Sequence, residues 1–252
     1  MPRLPANFLS RPVAHRGLHD RAAGVVENSL SAIRAAADAG YGIEIDVQAS
    51  ADGAAMVFHD DALDRLTALT GPVRARSAED LAKTALTGGR GDLIPPLAQV
   101  LDAVAGRVPL IIEIKRQHAG PGALEGATAA ALAGYAGPVA IMSFDPRAVA
   151  WFRDHAPQIP RGLVSYAYDD PEDAEGLTEA ERAALADLAW FDDLGADFVS
   201  YGATDLPHRA VSALRARGVP TLCWTIRSEA AAAAALRHVD AITFEGFRPP
   251  MV

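Results

Sequence analysis

The chain has 252 residues, half of them apolar and 22% charged, a composition that excludes a fibrous or disordered protein. Its 23 basic and 32 acidic residues leave a formal net charge of −9, which argues against a nucleic acid held on a broad basic surface. No window approaches the ~18 apolar residues of a membrane span, the opening segment lacks a signal-like apolar run, and the single Cys223 excludes an internal disulfide and a thiolate zinc cluster, so a cytoplasmic protein without stable membrane insertion is expected.

Short apolar runs alternate with longer Ala/Leu-rich stretches of helical period. The first strand is expected at 12–15, a helix at 29–39 and a second strand at 42–48. Asp52-Gly53 between two apolar runs then signals a hairpin. The polar stretch at about 60–95 has no clean strand, which interrupts the βα rhythm. Beyond it the pattern resumes with a helix at 98–105, a strand at 110–115, a helix at 123–135, a strand at 139–143 and a helix at 146–155. Strands at 162–165, 198–201, 221–225 and 241–244 follow, separated by helices at 179–193, 207–217 and 229–238. Ser228 suits the cap of the last, alanine-rich helix. Eight strands with intervening helices, and no glycine-rich dinucleotide fingerprint, favour an α/β fold of the (β/α)8 TIM barrel type over an open doubly wound sheet. Residues 1–252 are expected to form one domain, with the stretch at about 60–95 a small insertion over the barrel mouth that has no core of its own.

Polar groups interrupt those runs at their ends: His15, Glu44, Asp46, His59 and Glu113. Side chains two apart on a strand share a face, so Glu44 and Asp46 point together while Ile43, Ile45 and Val47 point the other way. Glu113 and Lys115 repeat the arrangement one strand later, and the acids are expected to converge at the carboxyl-terminal mouth. Three anions there must be protonated, paired or bound to a metal. All-oxygen ligands suit one divalent cation, Mg²⁺ or Ca²⁺, with Mn²⁺ a further option. The alternative is a salt-bridge network among Glu44, Asp46, Glu113, Lys115 and Arg16.

His15 and His59 each follow an apolar run and precede a charged residue, a pairing that suits proton transfer near neutral pH. His19 and His118 lie on loops that could reach the mouth, whereas His155, His208 and His238 fall at helical positions and are expected to be solvated. Arg16 and Lys115 could bind phosphate or simply neutralise the acids. Cys223, inside an apolar run, is expected to be buried and inert.

The fragments VAHRG, ENSLSAIRAAADAG, IEIDVQASADG, VFHDDALDRLT, IPPLAQVL, IIEIK, MSFDP and CWTI resemble, in order and spacing, the glycerophosphodiester phosphodiesterase family over about residues 12–248. The resemblance implies metal-dependent hydrolysis of a small-molecule glycerophosphodiester to glycerol 3-phosphate and an alcohol. It implies Glu44, Asp46 and Glu113 as metal ligands, His15 and His59 as the acid/base pair, and Arg16, Lys115 and Trp224 as substrate contacts. Trp224 would stand near the alcohol end, the alternative being a core tryptophan. Glu27 and Asn28 match the family's E-N-[ST] at a helix start, where Asn28 could also serve as an N-cap. The run Phe244-Glu245-Gly246-Phe247 departs from the family's Thr-Asp ending and leaves the role of Glu245 open. Rival readings are a phosphodiesterase of the same fold acting on lysophospholipid or phosphoinositol substrates, and a noncatalytic phosphodiester-binding protein. The oligomeric state is left open.

Overall fold

The computed structural model describes residues 4–117, 120–169 and 177–251. Eight parallel strands close into a barrel: β1 (Val13–Ala14), β2 (Gly42–Ala49), β4 (Leu110–Ile114), β5 (Val139–Ser143), β6 (Arg161–Ser165), β7 (Phe198–Gly202), β8 (Thr221–Ile226) and β9 (Ala241–Phe244), while β3 (Ala55–Val57) folds back antiparallel on β2. Closure is made by β1, which pairs in parallel with β9 on one side and β2 on the other. Although β1 is only two residues long, His15 N–H continues its ladder to Phe244 C=O at 2.9 Å. No helix among the described residues is long and apolar enough to cross a membrane.

Among the described residues seven helices pack outside the strands: α1 (Leu30–Asp38), α3 (Leu97–Val104), α4 (Ala123–Leu132), α5 (Pro146–His155), α6 (Glu179–Ala186), α7 (Arg209–Ala216) and α8 (Glu229–Ala235), with the short α2 (Ala78–Leu81) in the insertion. The period-2 alternation of the strands sorts their residues into two layers. Ile43, Ile45, Val47, Ile112, Ile114, Ile141 and Val199 face the helices, where they meet Ile33, Val100, Val149 and Phe152. Val13, Ile111, Ala140, Met142, Val164, Phe198, Leu222 and Ala241 fill the barrel interior. That inner plug supports the mouth above it.

The longest departure from expectation is the helix at 179–193, which ends at Ala186. Leu188 takes a left-handed backbone with φ of 54°, yet Leu188, Phe191 and Leu194 still bury against the helix-side core. Their three-residue spacing imitates a helical stripe, and turns fulfil it instead. Three other helices fall short of expectation by a few residues, with α4 ending at Leu132, α7 starting at Arg209 and α8 ending at Ala235.

The Asp52-Gly53 hairpin forms as expected, with Val47 opposite Val57. The stretch after it does gather an apolar cluster: Leu63, Leu66, Val73, Leu81, Leu86 and Ile94 pack with Val26, Met56 and Phe58. Its apolar residues follow neither a helical nor a strand period, so the sequence pattern conceals the cluster. Three of its members come from outside the insertion, so the segment is anchored to the barrel.

Ile112 is fully buried between β4 and the helices. Ile112→Ala should lower unfolding free energy by about 2–5 kcal/mol in urea titrations, and a loss well under 1 kcal/mol would contradict the outward packing assigned to it.

Candidate active site

The same alternation that fills the interior with Val13, Ile111 and Ala241 brings His15, Glu113, Lys115 and Glu245 to the mouth two and four positions later. On β2 the inward positions are Glu44 and Asp46, both 1% exposed, and Asp46 lies opposite Glu113 of β4 in the strand register. One carboxylate oxygen from each of Glu44, Asp46 and Glu113 lies within 4.8 Å of the others. The expected convergence is therefore present.

Three buried anions repel one another, so the surroundings must supply positive charge. Lys115 Nζ sits 2.8 Å from Asp46 Oδ1 and 2.6 Å from Glu113 Oε1. Arg16 approaches from the other side, its Nε 3.4 Å from Asp46 Oδ2, while its backbone N–H donates to Glu44 Oε2 at 2.9 Å. Burial opposes the charge on Asp46, but Lys115, His59 and Arg16 outweigh it and hold the carboxyl below its usual range. Lys115 responds in kind, raised by Asp46 and Glu113 against its own burial.

Two cations cannot balance three acids, and Glu44 is left over. Its burial and the repulsion from Asp46 and Glu113 push its carboxyl well above the usual range. Glu44 Oε1 is buried without a hydrogen-bond partner among the described residues, an arrangement that costs about 1–3 kcal/mol unless something binds there. An all-oxygen triad with one unsatisfied buried oxygen fits a hard divalent cation. The salt-bridge alternative is also realised in part, since Lys115 and Arg16 do pair with the acids.

Local backbone geometry makes this possible. Arg16 and Asn28 both have left-handed φ, 55° and 58°, and Asn28 N–H donates to Arg16 C=O at 2.9 Å. Gly17 (φ 79°) follows Arg16 directly, and a Cβ there would stand 2.9 Å from the Ala32 backbone, so the H-R-G turn requires glycine. The capping alternative for Asn28 is not what forms. Ser29 caps α1 by accepting from Ala32 N–H at 3.1 Å, which frees Asn28 to donate from Nδ2 to Asp46 Oδ2 at 2.8 Å.

Each histidine is held by a carboxylate on its far side. His15 Nδ1 lies 2.6 Å from Glu245 Oε2, which leaves Nε2 directed toward the acids, 4.0 Å from Glu44 Oε2. Burial lowers the His15 pKa, more than the Glu245 hydrogen bond raises it. The longer carboxylate that replaces the family's aspartate thus has a partner, and Arg227 binds its other oxygen at 2.7 Å. His15 and His19 together draw the Glu245 carboxyl strongly downward. His59 Nδ1 pairs with Asp60 Oδ1 at 2.7 Å, and Arg65 Nε holds the other Asp60 oxygen at 2.6 Å. Arg65 also reaches Glu27, as does Arg16, so an ion-pair chain joins the insertion to the barrel mouth.

The remaining candidates separate cleanly. His19 does reach the mouth, 3.7 Å from Glu245, and His118 lies outside the described residues. His155 is exposed, as expected, with its ring stacked on Trp151 at 4.5 Å, whereas His208 is half-buried and stacks on Tyr201 at 4.8 Å. Cys223 is buried, and burial pushes its thiol up to about 12. Trp224 belongs to the opposite half of the mouth, with its ring 5.2 Å from Phe144. Sequence reasoning assigned no role to Asp60, Arg65 or Arg227. The HDD and DRLT strings contain the first two, but a charged residue beside a histidine carries no geometry.

A family model, the glycerophosphoryl diester phosphodiesterase family, matches residues 15–245. The protein YhdW of Bacillus subtilis (strain 168), whose name assigns it provisionally as a glycerophosphodiester phosphodiesterase, is 27% identical over 231 residues, 88% of this chain and 88% of that protein. A glycerophosphodiester phosphodiesterase of Caldanaerobacter subterraneus subsp. tengcongensis is 36% identical over 112 residues, covering 41% of this chain and 44% of that protein. Among solved structures, an Oleispira antarctica phosphodiesterase in complex with the product sn-glycerol-3-phosphate aligns with a TM-score of 0.78 at 23% identity, over 94% of this chain and 93% of that one. That likeness concerns the fold.

Burial opposes ionisation of Glu27, yet hydrogen bonds from Arg65 and the charge of Arg16 lower its carboxyl to about 2. A depressed folded-state pKa contributes stability that is complete above the unfolded value near 4.5 and disappears as pH falls through about 2. Glu27→Gln should therefore be less stable than the parent at pH 6, with the gap closing between pH 4.5 and 2 in urea titrations. A gap independent of pH would refute the ion-pair account.

Proposed function

The chain belongs to the glycerophosphoryl diester phosphodiesterase family, and on that premise we propose that it hydrolyses a glycerophosphodiester to glycerol 3-phosphate and an alcohol with a divalent cation held by Glu44, Asp46 and Glu113. The observation that carries this reading is the buried acid triad with an unsatisfied Glu44 oxygen, flanked by two imidazoles that are each fixed by a carboxylate. Mg²⁺, Ca²⁺ and Mn²⁺ all suit its oxygen donors. A bound cation would supply Lewis-acid stabilisation of the negative phosphate oxygens.

The protein's own groups divide the remaining work. Arg16 and Lys115 exchange part of their pairing with Asp46 and Glu113 for phosphate oxygens as the ester enters. His15 donates its Nδ1 proton to Glu245 and so presents an unprotonated Nε2. With its pKa lowered by burial, it is the group suited to take the proton of the attacking oxygen. His59, aligned by Asp60 at the insertion side, is then the group that gives a proton to the departing alkoxide. Asn28 holds Asp46 in position throughout. In this reading the domain is a single barrel, and the segment at about 60–95 serves to place His59.

A noncatalytic binding protein would have no use for both oriented imidazoles, and the test separates the two. Turnover of a glycerophosphodiester should vanish on treatment with EDTA and return on adding Mg²⁺, Mn²⁺ or Ca²⁺, and activity indifferent to chelation would overturn the metal assignment. His15→Ala should cut kcat by at least about 10²-fold with the circular dichroism spectrum unchanged. Undiminished turnover in that variant would remove His15 from the chemistry.

A further inference from the structure

The backbone and the ring of His59 are held by different parts of the chain. The barrel fixes the backbone: Phe58 N–H donates to Asp46 C=O at 3.0 Å, and Gln48 Nε2 donates to His59 C=O at 3.1 Å. The ring is partly open to water, and Asp60 Oδ1 lies 2.7 Å from its Nδ1. Adjacency in the chain does not set the rotamer of Asp60, so the ring is only as well fixed as that carboxylate.

Arg65 fixes it. Its Nε and Nη2 fork onto Asp60 Oδ2 and Oδ1 at 2.6 and 2.8 Å, and its Nη1 and Nη2 fork onto Glu27 Oε2 and Oε1 at 2.9 and 2.8 Å. Two edges of one planar guanidinium thus hold two carboxylates in a set relation, which the point charge of a lysine does not reproduce. The main chain at Arg65 is anchored in turn, because Leu63 and Leu66 are buried in the apolar cluster of the insertion. On the barrel side Glu27 Oε1 also accepts from Arg16 Nη1 at 2.7 Å. The connection therefore runs through Arg16, Glu27, Arg65, Asp60 and His59, from the group assigned to the phosphate to the group assigned to the departing alcohol.

Stability does not account for this arrangement. The Arg65 side chain is 42% exposed, and ion pairs open to water contribute little to folding. His59 has a use for it. As the P–O bond breaks, its electron pair goes to the alcohol oxygen, which takes the Nε2 proton; a carboxylate fixed at Nδ1 stabilises the charged ring beforehand and gives Nε2 one direction. Burial opposes ionisation of Asp60, but hydrogen bonds from His59 and Arg65 hold its carboxyl well below the usual range.

We propose that Arg65 is a positioning residue for the leaving-group step: by clamping Asp60 against Glu27, it fixes the His59 ring for proton transfer to the departing alkoxide. The inference rests on the hydrolase reading, with His59 as its acid. Arg16 retains its own contacts with Glu27 and Asp46 when Arg65 is replaced, so phosphate binding is spared and the loss falls on kcat.

The test compares the ethyl and p-nitrophenyl esters of glycerol 3-phosphate with Mg²⁺ present, because p-nitrophenolate departs without a proton and ethoxide does not. Arg65→Gln and Arg65→Lys should each lower kcat for the ethyl ester at least about tenfold, part of the roughly 10²- to 10⁴-fold that a placed acid contributes, with KM and the p-nitrophenyl rate within about twofold of the parent. His59→Ala should show the same selectivity more strongly. Equal losses on both esters in the Arg65 variants, or undiminished turnover of the ethyl ester, would overturn the positioning role. Equal losses on both esters in His59→Ala would instead remove His59 as the acid, and the positioning role with it. By NMR the His59 Nδ1–H proton should be protected from exchange in the parent and lose that protection in Arg65→Gln, and equal protection in the two would refute the clamp. If the parent hydrolyses neither ester the hydrolase reading fails, and the spectrum decides the clamp by itself.

Discussion

Three carboxylates share a volume too small for three negative charges, and most of the surrounding structure answers that constraint. Lys115 bridges two of the acids from their own face of the barrel, Arg16 approaches from the β1 loop, and Asn28 adds a neutral donor. The unmatched acid is Glu44, and its unpartnered oxygen marks where compensation is incomplete. Burying a polar group without a partner costs about 1–3 kcal/mol, so this site is tolerated by the fold rather than a source of stability.

The outer carboxylates solve a different problem. Each of two imidazoles is fixed by a carboxylate at Nδ1, Glu245 beside His15 and Asp60 beside His59. Both carboxylates are in turn held by arginines, Arg227 and Arg65. Because Arg65 and Asp60 belong to the insertion while Glu27 belongs to a barrel loop, the placement of His59 depends on packing between the two. The apolar cluster that joins Phe58 to Leu63 and Leu66 sets that packing.

The division of the mouth follows from strand parity. Each barrel strand offers inward positions at intervals of two, the lower ones filled by the apolar plug and the upper ones free to carry function. On or just after the neighbouring strands from β9 to β4 those upper positions are ionisable, while Phe144 and Tyr166, just after β5 and β6, meet one another and Trp224 of β8.

Much of this was legible in the amino-acid sequence, because period and spacing are local properties. The alternation around Glu44, Asp46 and Glu113 set which side chains share a face, and the βα rhythm gave the barrel. The Asp52-Gly53 turn gave the hairpin. The helix expected at 179–193 was overread because Leu188, Phe191 and Leu194 keep a helical spacing inside turns. The role of Asn28 was hidden because an asparagine before a helix reads equally well as a cap. Glu245 lies 230 positions from His15, and no local pattern encodes a pairing across the closure of the barrel. The contacts among Phe144, Tyr166 and Trp224 likewise exist only because strands distant in sequence end at the same rim. Sequence determined which residues point inward, since that depends on backbone periodicity alone. Tertiary structure decided which of them meet, since that depends on ring closure and on the register between strands.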